Sequence, residues 1–299
     1  MSNLLNERPL GGLYVPVVAP FGPDGELDIA SYRRYIGRLA EEGIQGLVVN
    51  GTTGESPTVS WEEVRLLIEA TREIVGEREL PILVGTGTND TRATVRRTEE
   101  AMRFGADGAL VVVPYYSRPS QEGIVEHFRQ AAATGLPVVA YEIPARTGVR
   151  LTPEAALAIL SMDGVIGMKD SSGDLTLLRE LLRRGNRKPV LCGEDALLPE
   201  MLLAGAAGGF LASANAHTAR FLDVLRLFRE GRAAEGAARF EELQACIRLL
   251  FREPNPAPLK WLLARSGAIS CERTRLPLVG ITDSLKRELE PYIPAASLA

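Results

Sequence analysis

Histidine and cysteine are scarce in this sequence. The 299 residues contain only His127 and His217, and two histidines this far apart do not supply the ligand set of a zinc or iron site. The three cysteines form no Cys-x-x-Cys pair and are widely spaced, at Cys192, Cys246 and Cys271. This spacing excludes a disulfide framework and a thiolate metal site, so we expect neither a metal nor a structural disulfide.

Long apolar runs and excess positive charge are also missing. No segment approaches the roughly 20 consecutive apolar residues that span a bilayer, and the opening MSNLLNERPL lacks a basic segment followed by an apolar run. The formal net charge of −4 predicts a field that repels nucleic acid and anionic membranes. We therefore expect a cytoplasmic protein that binds neither nucleic acid nor membrane.

Short β-branched segments recur along the chain, with helical segments between them. They are 13–19, 46–50, 81–85, 108–113, 137–143, 164–169, 189–193 and 208–213. Two of the intervening helices carry start signals: a capping-box spacing opens Ser60–Val75, and a Thr-Pro pair opens Thr152–Ser161. The predicted strands are continuously apolar, which indicates a parallel sheet covered on both faces. Eight such units predict a closed (β/α)8 barrel (TIM barrel) of the α/β class.

The domain prediction follows from this pattern. Residues 1–232 are expected to form the barrel, and residues 233–299 a small helical C-terminal region interrupted by EPNPAP at 253–258. An open doubly wound sheet is the alternative. It is disfavoured because the glycine-rich dinucleotide turn is incomplete: Gly85 and Gly87 follow the third strand, but Asp90 stands where the third glycine belongs.

Chemistry in such a barrel belongs at the carboxyl ends of the strands. Lys169 stands at the end of the sixth strand, where it is either a surface lysine or an amine held partly out of water. An ordinary lysine amine is almost fully protonated at pH 7, so a nucleophilic one needs such burial. Tyr141 ends the neighbouring fifth strand and is either a core tyrosine or a proton shuttle for imine chemistry.

Other strand ends carry groups that suit carboxylates. Gly51 and Gly54 flank two threonines, and this turn offers backbone N–H groups and hydroxyls to an anion. On the loop beyond the fifth strand, Arg146 can hold a second carboxylate or form a surface ion pair. Glu55 and Asp170 are either an acid/base pair or carboxylates that orient loops by accepting backbone N–H bonds.

Several long motifs, in order, give the chain a resemblance to a known family. They are GTTGESPT (51–58), PYYSRPSQEG (114–123), YEIPARTG (141–148), GMKDSSGD (167–174), GEDA (193–196), EPNPAPLKW (253–261) and RLPLVGITD (275–283). Through nearly its whole length the chain resembles the dihydrodipicolinate synthase and N-acetylneuraminate lyase family of Schiff-base-forming barrel enzymes.

The resemblance implies roles for named residues. It makes Lys169 the amine that condenses with pyruvate, and Tyr141 the proton donor and acceptor. Thr52 and Tyr116 match the rest of a hydroxyl relay, with Tyr116 supplied by a neighbouring subunit. The implied assembly is therefore a homo-oligomer, a dimer or a tetramer.

The substrate-binding positions are implied in the same way. Thr53 matches the residue that binds the pyruvate carboxylate, and Arg146 the one that holds the carboxylate of aspartate semialdehyde. Gly193 and Phe210 fall at further pyruvate-side positions. Two residues depart from the pattern. Synthases usually have a smaller aliphatic residue where this chain has Phe210. They have asparagine where it has Glu142, a carboxylate expected either to repel an acidic aldehyde or to point into solvent.

The leading hypothesis is an enzyme that condenses pyruvate with aspartate semialdehyde, without a cofactor. A second hypothesis is a pyruvate-dependent aldolase for another 2-oxo acid. A third is a non-catalytic pyruvate-binding homologue, which would not need Lys169. A fourth is a phosphate-binding barrel that uses Gly193, Gly208 and Gly209, but no basic residues accompany these glycines.

Overall fold

The structure is a computed structural model that describes residues 4–7, 9–76 and 78–294. Its strands are β1 (Gly12–Pro16), β2 (Gly46–Val49), β3 (Ile82–Gly85), β4 (Gly108–Val112), β5 (Val138–Glu142), β6 (Val165–Asp170), β7 (Val190–Cys192) and β8 (Gly208–Phe210). They form one sheet that closes on itself in the order β1 to β8. The predicted (β/α)8 barrel is thereby confirmed, and the open doubly wound alternative is wrong.

Helices precede β1, connect successive strands and follow β8. They are α1 (Leu4–Glu7), α2 (Ile29–Glu41), α3 (Trp61–Val75), α4 (Thr91–Arg103), α5 (Gln121–Ala132), α6 (Pro144–Thr147), α7 (Pro153–Leu160), α8 (Thr176–Arg183), α9 (Leu198–Leu203), α10 (Ala214–Arg229), α11 (Ala233–Leu250), α12 (Ala257–Arg265) and α13 (Asp283–Leu289). In the described part of the chain, no helix combines the length and apolarity that a membrane-spanning segment needs.

The helix starts follow the signals in the sequence. The Ser60 hydroxyl accepts from the backbone N–H of Glu63, and the Glu63 carboxylate accepts from the N–H of Ser60, which completes the predicted capping box of α3. The Thr152 hydroxyl caps α7 by accepting from the N–H of Ala155, with proline in the first turn. Both predicted helix starts are confirmed.

All eight predicted strands are present, but two of them end three residues earlier than expected. The first was expected to reach residue 19 and ends at Pro16; the eighth was expected to reach residue 213 and ends at Phe210. The residues beyond each end remain buried, as an apolar run requires. Val17 still donates its backbone N–H to the carbonyl of Val48 on β2 at 3.0 Å, but neither segment continues as a strand, and after β8 the chain turns within three residues into α10. Apolarity therefore predicts burial here, not the length of the strand.

The chain divides into two compact units, one within residues 1–14 and 81–210 and the other within 15–80 and 211–299. The first is called unit 1 and the second unit 2, and each is described by itself. Unit 1 buries side chains that include Leu83, Val111, Phe128, Val139, Met168 and Leu191. Unit 2 buries side chains that include Phe21, Tyr32, Tyr35, Phe221, Phe240 and Leu262. The division of the chain into a barrel ending at residue 232 and a helical region stays a prediction.

The register between β5 and β6 sets the positions of four polar residues. Tyr141 is paired with Lys169, and Glu142 with Asp170. Because side chains alternate along a strand, the first pair projects to one face of the sheet and the second pair to the other. At one position the two strands therefore place an amine beside a phenol, and at the next position they place two carboxyl groups side by side.

Candidate active site

Lys169 is the sixth-strand residue that the sequence singled out. Its side chain is 7% exposed. The amine nitrogen lies 4.2 Å from the centroid of the Tyr141 ring and 5.9 Å from that of Phe210. The structure thus holds this amine between two aromatic rings and largely out of bulk water, which is the environment expected of a nucleophilic amine rather than of a surface lysine.

The aromatic rings near Lys169 are themselves fixed by packing. Phe210, at the end of β8, is buried, and its ring centroid lies 4.9 Å from that of Tyr14 on β1. Burial raises the pKa of the Tyr14 phenol, which therefore stays neutral. Tyr141 is 5% exposed. The two rings that face Lys169, together with the Tyr14 ring that packs against Phe210, lie on three different strands, so the barrel sets their positions.

Gly193 owes its identity to the lysine beside it. A Cβ atom at this position would lie 2.8 Å from Cε of Lys169 and would overlap Oγ of Ser171. The Gly193 backbone N–H also donates to the carbonyl of Asp170 at 2.8 Å, which ties β7 to the end of β6. Any larger residue would displace the Lys169 side chain, so the glycine is explained by that side chain without a bound phosphate.

The carboxyl group of Glu142 is fully buried, which contradicts the expectation that it points into solvent. Its Oε1 accepts from the backbone N–H of Leu151 at 2.9 Å, and its Oε2 has no hydrogen-bond partner in the described residues. Burial raises the Glu142 pKa to about 7, and the neighbouring Asp170 adds to this rise. Near neutral pH, Glu142 therefore carries a proton on a substantial fraction of molecules, and it does not present a full negative charge to an acidic aldehyde.

Asp170 is buried beside it on β6. One oxygen, Oδ1, accepts from the backbone N–H of Ser172 at 2.9 Å, while Oδ2 is unpartnered in the part of the chain that is described. Burial raises the Asp170 pKa as well. Asp170 orients the loop that follows Lys169, in agreement with the second of its two sequence interpretations.

Arg146 lies on the short helix α6 rather than on an irregular loop. Proline opens this helix, and Gly148 ends it in the left-handed region at φ 74°. The Arg146 side chain is exposed, and no ion pair to it is present among residues 4–7, 9–76 and 78–294. Burial raises the pKa of nearby Glu194, and the positive charges of Lys169 and Arg146 oppose that rise. Arg146 is thus a cation available to a ligand.

The threonine turn belongs to unit 2. Thr52 and Thr53 form a single 3-10 turn, held by bonds from the Gly54 N–H to the Gly51 carbonyl and from the Glu55 N–H to the Thr52 carbonyl. Thr53 is 3% exposed and Thr52 is half-buried. The hydroxyl of Thr53 accepts from Nδ2 of Asn255 at 3.2 Å.

A buried ion pair behind this turn was not predicted from the sequence. Nζ of Lys260 donates to Oε1 of Glu55 at 2.7 Å and to the carbonyl of Ala19 at 2.9 Å, and both side chains of the pair are at most 1% exposed. Burial lowers the Lys260 pKa, and Glu55 opposes that effect. Glu55 thus orients a loop, which is the second of the two roles that the sequence allowed for it. The sequence carried a signal for this pair: Lys260 interrupts the apolar run 257–264 of α12, whose other charged residue, Arg265, lies at the end of the helix.

Tyr116 is set apart from the buried residues. Its side chain is 89% exposed on the loop after β4, and its backbone lies in the left-handed region at φ 71°. A tyrosine rarely adopts this conformation, and here it directs an aromatic ring away from the core.

In the described part of the chain, no group of three or more histidine, cysteine, aspartate or glutamate side chains could hold a metal ion.

The structure brings Lys169, Tyr141, Phe210 and Gly193 together at the carboxyl ends of their strands. A buried lysine amine at this end of a closed parallel barrel is typical of barrel enzymes that form Schiff bases with carbonyl compounds.

Comparison with known proteins gives the family. The model of the dihydrodipicolinate synthetase family matches residues 9–296, and the chain belongs to this family. The 4-hydroxy-tetrahydrodipicolinate synthase of a Synechococcus species is 39% identical over 294 residues, which cover 97% of this chain and 97% of that protein. The 4-hydroxy-tetrahydrodipicolinate synthase 2 of Clostridium acetobutylicum is 37% identical over 284 residues, with 94% and 99% coverage. The dihydrodipicolinate synthase of Acinetobacter baumannii, solved in complex with pyruvate, superposes with a TM-score of 0.90 at 32% identity, covering 94% of this chain and 98% of that one.

Proposed function

We propose that the protein condenses pyruvate with L-aspartate 4-semialdehyde to 4-hydroxy-tetrahydrodipicolinate, a reaction of lysine and diaminopimelate synthesis. The observation that carries the proposal is the amine of Lys169, buried at the end of β6 against the Tyr141 ring. Membership of the dihydrodipicolinate synthetase family and synthases at 37–39% identity support the same reaction.

The first half of the reaction forms an imine. The Lys169 amine attacks the keto carbon of pyruvate, and the carbinolamine loses water to give a protonated imine. Tyr141 donates and accepts the protons of these steps, and by the resemblance Thr52 and Tyr116 relay them. Thr53 holds the pyruvate carboxylate, while Phe210 and Gly193 shape the space around the amine.

The second half forms the new carbon–carbon bond. The imine acidifies the pyruvate methyl group, which loses a proton to give an enamine, and the enamine carbon attacks the aldehyde. The amino group of the semialdehyde then attacks the imine carbon, which closes the ring and releases Lys169. Arg146, with no ion pair of its own in the described residues, holds the carboxylate of the semialdehyde. Because the protonated imine withdraws the electrons, we propose no metal and no cofactor.

The assembly and location remain parts of the proposal. The exposure of Tyr116 supports a homo-oligomer, a dimer or tetramer, in which this residue reaches a neighbouring subunit. A cytoplasmic location stays a prediction from the sequence.

Reductive trapping tests the mechanism. Borohydride added in the presence of pyruvate should leave a carboxyethyl group on the amine of Lys169, located by peptide mass mapping. Lys169→Ala should show no adduct, and Lys188→Ala, which removes a half-exposed lysine, should show the wild-type adduct. An adduct on another lysine, or none, would refute the imine at Lys169.

The second substrate needs a separate assay. Purified protein with pyruvate should consume aspartate semialdehyde faster than it consumes other aldehydes, and it should not cleave sugar-derived 2-oxo acids. Because burial raises the Glu142 pKa to about 7, this group carries only part of a negative charge near neutral pH, which weakens the objection that it repels an acidic aldehyde. Cleavage of another 2-oxo acid in preference to condensation would instead favour the aldolase hypothesis.

A further inference from the structure

Asn255 touches the threonine to which the pyruvate carboxylate is assigned. This residue lies 202 positions further along the chain, just before α12, and its Nδ2 donates to Oγ1 of Thr53 at 3.2 Å. A threonine hydroxyl has one proton to donate and two lone pairs to accept with. Because Asn255 occupies a lone pair, the hydroxyl proton of Thr53 stays available to another acceptor.

A carboxylate can only accept hydrogen bonds, so the residue that binds it must donate. We infer that Asn255 is a positioning residue that holds the Thr53 hydroxyl as a donor toward the pyruvate carboxylate. The inference rests on the proposed function, since it needs Thr53 to bind pyruvate. It makes the C-terminal helical region part of the substrate site.

The turn that carries Thr53 is strained and has to be held. Asn50 and Glu55, on either side of it, both lie in the left-handed region, at φ 59° and 55°. Such a conformation in a residue other than glycine persists only where neighbouring contacts determine it. The turn therefore needs partners that fix its backbone.

The same C-terminal region supplies those partners. Oε1 of Glu55 accepts from Nζ of Lys260 at 2.7 Å, and Oε2 accepts from the backbone N–H of Arg275 at 2.9 Å. The Lys260 amine lies 4.1 Å from the centroid of the Phe21 ring. With both oxygens of Glu55 bonded to residues of the C-terminal region, one end of the turn is fixed.

Arg275 extends this support to the segment after the turn. Its guanidinium donates to both carboxylate oxygens of Glu63 on α3, at 2.6 and 2.8 Å, and to the carbonyl of Thr58 at 2.8 Å. The backbone N–H of Lys260 donates to the carbonyl of Pro256, which connects the ion pair directly to the residue beside Asn255. The distance between Asn255 and Thr53 is therefore set by a network, and not by one flexible loop.

Two substitutions at residue 255 separate orientation from simple packing. Asn255→Ala removes the donor and leaves the Thr53 hydroxyl free to rotate, so the KM for pyruvate should rise about three- to tenfold at nearly unchanged kcat. Asn255→Asp has almost the same shape but puts an acceptor against Thr53, which captures its proton and adds charge beside the substrate carboxylate. We expect a rise of more than about thirtyfold. Asn255→Gln, which keeps the amide donor, should lie closer to the wild type than either.

A double-mutant cycle completes the test. Once Thr53→Val has removed the hydroxyl, Asn255→Ala should have no further effect on the KM for pyruvate, since its action passes through Thr53. Additive effects, or an Asn255→Asp variant that binds pyruvate as well as the wild type, would overturn the inference. The borohydride adduct at Lys169 of the wild type distinguishes failure of the proposed function from failure of the Asn255 inference. If the wild type forms no adduct, the proposed function is refuted. If the adduct forms and the KM for pyruvate is unchanged in all three Asn255 variants, only the role of Asn255 is refuted.

Discussion

Replacing Glu142 by glutamine should make the stability of this protein less sensitive to pH. The Glu142 carboxyl is fully buried and its pKa is raised from 4.5 to about 7. Between these two values the folded state binds more protons than the unfolded state, so the wild type loses stability as the pH rises through this range. A glutamine has no proton to lose and avoids that cost.

The magnitude follows from the shift in pKa. One pKa unit corresponds to 1.36 kcal/mol, so a shift of this size amounts to about 3 kcal/mol when the pH is well above 7. At pH 5 most of that cost is absent. We therefore expect the free energy of unfolding of Glu142→Gln, relative to the wild type, to increase by about 2–3 kcal/mol between pH 5 and pH 8.

Urea unfolding followed by circular dichroism at the two pH values measures this difference. The matched control is Glu180→Gln. Hydrogen bonds from Arg183 and Arg184 lower the Glu180 pKa to about 2, so this surface carboxylate is ionised in the folded protein at both pH values. Its substitution should shift stability nearly equally at pH 5 and pH 8. If Glu142→Gln behaved like this control, the argument that burial keeps Glu142 protonated would be wrong.

Three further substitutions test other parts of the structure. Arg146→Ala should raise the KM for aspartate semialdehyde at least about tenfold, because the bound carboxylate loses its charged partner. The pyruvate adduct at Lys169 should still form. An unchanged KM in steady-state assays would point away from an acidic aldehyde. Gly193→Ala should reduce kcat at least about tenfold, since the added methyl group displaces the Lys169 chain; a crystal structure showing that chain unmoved would contradict the packing argument. Lys260→Met should lower the free energy of unfolding by about 3–5 kcal/mol, because Glu55 is left buried without its charged partner. Adding Glu55→Gln should recover part of this loss, and a denaturation series that shows no recovery would contradict the pairing.

Local chemistry made most of the barrel predictable from the sequence. Continuous apolar runs, most of them rich in β-branched residues, marked all eight strands, and side-chain capping at Ser60 and Thr152 marked two helix starts. The ends of β1 and β8 were placed too late, because apolarity reports burial and does not report where the ladder bonds stop. Strand ends depend on the closure of the sheet, which no local pattern encodes.

The candidate site was predictable only where it lies on the strands. Lys169 and Tyr141 could be paired because neighbouring strands of a parallel barrel share a rim, and the observed register pairs them directly. The ion pair between Lys260 and Glu55 joins residues 205 positions apart, and no local sequence pattern near either residue identifies the other as its partner. The burial of Glu142 was misjudged for a related reason: its surroundings are supplied by Leu151 and Asp170, which come together only in the folded chain.

The contact between Gly193 and the buried Lys169 has a consequence for protein design. Lys169 is paired with Leu191, and Gly193 lies two residues further along the chain, just past the end of β7. The aliphatic stem of the lysine fills the space that the next strand's side chain would otherwise occupy. A designer who transplants such an amine to another strand of a barrel should therefore transplant two positions: the lysine itself, and a glycine two residues past its register partner on the following strand.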